Sequence, residues 1–132
     1  MGELASDPVK ITEFPNLTRL TLNFDRPAAI GDASLLVYLS REPLTNEAGA
    51  LNSEWGYVRQ SVFDSVLMFS EIVADQAEFT YTYLHSGEYY LTVVADMDGD
   101  RIPGDKDLFS PRLRIRIEPG SHPTFTIDQF IR

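Results

Sequence analysis

The chain has 132 residues, 43% of them hydrophobic, which is enough to bury one continuous core, so a single domain is expected over residues 1–132. A net charge of -9 disfavours a nucleic-acid partner or an anionic membrane surface, since both are bound through clustered Lys and Arg. Having no cysteine excludes disulfides, thiolate metal sites and cysteine nucleophiles, and no apolar run approaches the roughly 20 residues that span a bilayer, so no membrane insertion is expected.

From the start of the chain, Met1-Gly2-Glu3 lacks the basic start and apolar stretch of a signal peptide, and residues 1–8 read as a flexible acidic segment. Leu20, Leu22 and Phe24 alternate with polar residues, and Leu35 to Leu39 forms a denser apolar run after Gly31-Asp32, giving two strands. Arg41 to Leu51 and Glu71 to Gln76 are the only stretches where short helices are expected. Arg41 to Tyr57, the longest stretch without strand pattern, reads as a variable surface loop.

Phe79, Tyr81 and Tyr83 alternate with Glu78, Thr80 and Thr82, and Ser86-Gly87 separates them from Tyr89 to Ala95, which predicts a hairpin. Leu113, Ile115 and Ile117 alternate with Arg112, Arg114 and Arg116, and Pro119-Gly120 leads to Phe125 to Ile131, a second predicted hairpin. Seven or eight strands spaced in this way predict an all-β fold, an antiparallel β-sandwich of immunoglobulin-like or prealbumin-like kind.

Between two strands lies DMDGDRIPGDKDL, with carboxylates at Asp96, Asp98, Asp100, Asp105 and Asp107 opposed only by Arg101 and Lys106. Each pair of carboxylates about 4 Å apart costs roughly 1 kcal/mol in water and about 4 at an effective dielectric of 20, so gathering several of them calls for a counter-cation. Counting Asp96 as position 1, acids fall at positions 1, 3, 5 and 12, the ligand spacing of a calcium loop, with the Ile102 carbonyl at position 7. Asp96, Asp98, Asp100, Ile102 and Asp107 are therefore the candidate calcium ligands, with an affinity of about 10⁻⁴ to 10⁻³ M as in extracellular modules. Arg101 stands where such loops need Gly, and Pro103 cannot donate a backbone hydrogen bond. Strand patterns flank both sides, which rejects a paired helix-loop-helix domain. The other reading of the same residues is a solvated Asp-Gly turn.

The segment YTYLHSGEYYLTVVADMDGDRIPGDKDL resembles the signature of a family of bacterial exported domains of unknown function, matching it most directly at Gly87, Tyr89, Asp96, Asp98 and Asp100. Weaker agreement runs from Leu17 to Leu39, while His85-Ser86 departs from the family pattern. The loop is also similar to the first calcium loop of dockerins, with Asp96, Asp98, Gly99, Asp100, Asp107 and Leu108 in register. The resemblance implies a prealbumin-like (transthyretin-like) sandwich in a secreted, periplasmic or cell-envelope location, with any export signal removed. It implies no activity.

Trp55 and Tyr57, with Tyr38, are candidates for an aromatic platform that stacks on sugar, although a lone Trp more often packs a loop onto a core. Arg112, Arg114 and Arg116 share a strand face that suits either an anionic partner or cross-strand pairing with acids, and pairing is expected given the acidic excess. His85 and His122 are too few for a zinc site. No nucleophile elbow, phosphate loop or zinc-protease motif is present, and only Asp64 with Asp75 offers a conceivable carboxylate pair for glycoside hydrolysis. The expectation is a non-enzymatic exported interaction module with a calcium-stabilised loop and a protein or polysaccharide partner of unknown identity. The alternative is a carbohydrate-binding module acting through Trp55 and Tyr57.

Overall fold

The computed structural model describes residues 18–46, 50–82 and 84–131. The segment 1–8, Leu17, Tyr83 and the middle of the stretch from Arg41 to Leu51 lie outside the described residues.

Two sheets pack face to face. The smaller holds β1 (Arg19–Phe24) between β10 (Thr124–Ile127) and β6 (Glu78–Thr82). The larger is five-stranded, in the order β5 (Val66–Ile72), β2 (Ser34–Ser40), β7 (Gly87–Asp96), with β8 (Leu108–Phe109) and β9 (Leu113–Ile117) sharing the far edge of β7. Ser110 stitches the gap between them: its N–H donates to the Val93 carbonyl at 2.8 Å, and its Oγ accepts the Val93 N–H at 2.9 Å. All of these pairings are antiparallel except β1 with β10, which run parallel. The expected all-β sandwich is therefore observed.

Alternation places the core where the sequence pattern put it. Leu20, Leu22 and Phe24 of β1 meet Leu35, Val37 and Leu39 of β2, and Leu91, Val93 and Ala95 of β7, between the sheets. The intervening residues of β2 and β7, Leu36, Tyr38 and Val94, point to the opposite face of the large sheet. There they are buried too, in a second core with Leu44, Val62 and Phe109. The cover comes from the chain between β2 and β5, which includes the hairpin β3 (Ser53–Glu54) and β4 (Tyr57–Val58) and the one-turn helix α1 (Gln60–Phe63). Among its described residues, the stretch expected to be a variable surface loop buries Leu44 and Thr45 in this cover and leaves the rest partly or fully exposed.

Three local expectations are corrected. Ser86-Gly87 does not close a hairpin: β6 belongs to the small sheet and β7 to the large one, so the chain crosses between layers there. Pro119-Gly120 likewise carries the chain from β9 in the large sheet to β10 in the small one. No helix forms at Glu71 to Gln76, where β5 ends and a turn closes through the Gln76 N–H to the Val73 carbonyl, nor among the described residues from Arg41 to Leu51.

Candidate metal centre

Asp96 ends β7 with the same parity as Thr92 and Val94, so its side chain lies on the outer face of the large sheet. Asp107 stands immediately before β8. Between them the chain makes a tight loop in which Gly99 (φ 74) and Arg101 (φ 63) both adopt the left-handed conformation. Position 6 of such a loop favours Gly, and Arg101 stands there. The backbone takes the required conformation anyway, at a cost of roughly 1 kcal/mol.

The carboxylates organise the loop. The Arg101 N–H donates to Asp96 Oδ2 at 2.9 Å, the Asp100 N–H to Asp98 Oδ1 at 3.3 Å, and the Ile102 N–H to Asp100 Oδ1 at 3.0 Å. Asp107 accepts the Met97 N–H on Oδ1 at 2.9 Å and the Gly104 N–H on Oδ2 at 3.0 Å. One carboxylate oxygen from each of Asp96, Asp98, Asp100 and Asp107 lies within 4.8 Å of the others, so the four form a group able to hold a metal ion. These are four of the five predicted ligands. The fifth was a backbone carbonyl, that of Ile102.

Two of the four carboxylates are withdrawn from water. Asp96 is only 5% exposed, and its Oδ1 is buried without a hydrogen-bond donor. Asp107 is fully buried, and that burial pushes its carboxyl up to about 6 against the pull of the Gly104 and Met97 N–H groups. Burial also raises Asp96, with Asp98 and Asp100 adding to the rise while the Arg101 N–H opposes it. Lost hydration pushes the surface carboxyl of Asp98 upward, but hydrogen bonds led by the one from the Asp100 N–H outweigh it and hold the group below its ordinary value. The negative field reaches Tyr38, whose hydroxyl is raised first by burial and then by Asp96, Asp107 and Asp100. Arg101, in the same loop, is mostly exposed and turned to Glu71 at 3.5 Å. Glu71 lies in β5 and not in the expected helix, and its place opposite Leu36 of β2 puts it on the same outer face.

Asp105, the remaining acid of the run, is not in the group. Its N–H donates to the Gly56 carbonyl at 2.8 Å, tying the loop to the turn of the β3–β4 hairpin. The Val58 N–H reaches the Pro103 carbonyl at 3.3 Å, and Tyr57 pairs with Gly104. Pro103, counted against the loop for lacking a donor, serves here as an acceptor. The two candidate sites that the sequence kept apart, the acidic loop and the Trp55–Tyr57 pair, therefore adjoin.

The expectation that Trp55 packs into a core is overturned, because its side chain is 90% exposed at the hairpin tip. Tyr57 is half-exposed, whereas Tyr38 is buried beside Phe63 and Phe69 and takes no part in a platform. Arg114 and Arg116 both pair with Glu88 across β9 and β7, as cross-strand pairing predicts, Arg116 also pairs with Glu118 two residues along the chain, and Arg112 lies over the Tyr90 ring at 5.2 Å. Asp64 and Asp75 flank opposite ends of β5, which alone spans about 20 Å, so they make no carboxylate pair. Neither His85 nor His122 belongs to the metal-competent group. No protein-family model, curated protein or solved structure matches the chain.

Proposed function

We propose that the protein is an exported, non-enzymatic binding module whose Asp96–Asp107 loop takes up calcium. The observation that carries this reading is the Asp96 carboxylate, buried with Oδ1 lacking a donor inside a group of four acids. Leaving a buried acceptor unsatisfied is costly, and a hard cation would satisfy it while cancelling the repulsion among the four. Four carboxylate oxygens within 4.8 Å of one another suit a hard cation with oxygen ligands, and a flexible oxygen set of this kind is what calcium accepts, whereas magnesium demands stricter octahedral geometry and dehydrates reluctantly. Asp96, Asp98, Asp100 and Asp107 are the proposed side-chain ligands, with the Ile102 carbonyl at position 7 completing the set. A weak site of this kind fills in calcium-rich extracellular surroundings, in keeping with the resemblance to exported domains.

Calorimetry on chelator-treated protein tests the proposal. Calcium at about a hundred times its dissociation constant should stabilise the fold by roughly 2.7 kcal/mol. Magnesium should do so much less, and Asp98→Asn, a surface change, should remove the calcium increment. A melting temperature indifferent to calcium sinks the reading.

A further inference from the structure

Trp55 occupies the first central position of a two-residue turn between Glu54 and Tyr57, and both Trp55 (φ 61) and Gly56 (φ 83) are left-handed. Turns of this kind favour Asn-Gly, and a bulky aromatic there is strained. Burial of the ring could offset that strain, but the indole is solvated. Its placement therefore does nothing for packing; it displays a flat apolar face.

The hairpin that displays it has two residues per strand, too short to be stable alone. It rests on the acidic loop through the Asp105–Gly56 and Val58–Pro103 hydrogen bonds and through Tyr57 packed on Gly104. The packing is close: a Cβ at Gly104 would lie 3.1 Å from the Gly56 carbonyl oxygen and 3.2 Å from Tyr57 Cδ1. The Gly104 N–H in turn donates to Asp107 Oδ2, so one residue links the carboxylate group to the platform.

The chemistry beside the indole selects among ligands. Glu54, exposed and 4.0 Å from the Arg59 guanidinium, adjoins it in the turn, and the Asp105 carboxylate lies against Gly56, both hydrogen-bond acceptors. A pyranose offers a C–H face to stack on a ring and hydroxyls to donate to carboxylates. A chain of net charge -9 opposes an anionic polymer or a phospholipid surface.

We propose that Trp55, with Tyr57 beside it, is a stacking site for a neutral polysaccharide, and that the cation loop holds the hairpin in its binding position. The dependence on the cation rests on the calcium reading above; the stacking site does not.

Trp55 is the only tryptophan in the chain, so tryptophan emission, excited selectively over the six tyrosines, reports this site alone. The intact protein is titrated with a soluble β-glucan, a xylan, a galactomannan and an α-glucan, in millimolar calcium and again in chelator, with melting temperatures recorded in parallel. At least one polymer should shift the emission to the blue and shield it from iodide. Chelator or Asp98→Asn should weaken that binding by about tenfold or more. Trp55→Ala should abolish retardation in polysaccharide-containing gels without lowering the melting temperature. A calcium-raised melting temperature with no polymer bound overturns the stacking site and leaves the calcium reading standing. Equal binding in calcium and chelator overturns the coupling, and if calcium also fails to raise the melting temperature, the calcium reading falls with it. A blue shift on phosphatidylserine vesicles in calcium, with none on the polymers, overturns the proposal in favour of a membrane surface.

Discussion

β7 carries a charged group at each end, and the two ends treat charge differently. At its start, Glu88 bonds Arg114 and takes Arg116 at 3.3 Å across the strands, and Arg116 also holds Glu118 at 2.5 Å along its own chain, so cations and anions alternate on an exposed surface. At its end, four aspartates converge, two of them buried. The first group is neutral as folded and needs nothing more. The second gathers like charge and removes half of it from water, an arrangement that a proton on a buried acid or a bound cation would relieve.

The largest effect should come from the second group. Asp107→Ala leaves the Met97 and Gly104 N–H groups without their acceptor inside the fold, and should destabilise by about 3 kcal/mol in chemical denaturation. If the loss is no greater than that of a surface substitution, the carboxylate does not organise the loop.

The next effect is one of pH. Burial raises Asp107 to about 6, above its unfolded value. In chelator its contribution to stability is therefore full below the unfolded value and is lost as pH rises through about 6. Calcium needs the ionised carboxylates, so its stabilisation should appear over the same interval. Stability measured with and without calcium should separate above about pH 6 and converge towards pH 4. Parallel curves would mean that the buried acid and the ion do not compete.

The first group should give the smallest effect. Glu88 is held below its ordinary value, first by the hydrogen bond from Arg114, so its contribution is present above the unfolded pKa and fades as pH falls through the folded one. The pair is fully solvated, so Glu88→Gln should lower the melting temperature slightly at low salt and not at all in 1 M salt, where the screening length is about 3 Å. A salt-independent loss would show that the ladder does more than balance itself.

The strands were legible because period-two alternation is a local property: Leu20, Leu22, Phe24 and Leu113, Ile115, Ile117 announce which side faces the core. Their neighbours were not, because alternation does not encode which strand lies alongside. Gly87 and Gly120, each at positive φ, mark turns just as well when the chain crosses between sheets as when it doubles back. The acid spacing selected four carboxylates that do converge, because positions 1, 3, 5 and 12 of a tight loop meet by local geometry. The contact between that loop and the Trp55 hairpin joins segments about fifty residues apart. Its only local trace is the pair Gly56 and Gly104, whose missing side chains let the two backbones approach.

The parallel pairing of β1 with β10 has a mechanical consequence. Force pulling the chain out ahead of β1 and beyond β10 would first peel Ile131 from Phe109. It would then slide two parallel strands past one another, loading the Arg19–Ser121, Thr21–Pro123 and Asp25–Ile127 hydrogen bonds together. Bonds loaded in shear must break in concert, whereas a hairpin unzips one rung at a time. A sandwich clasped in this way resists tension along its chain axis.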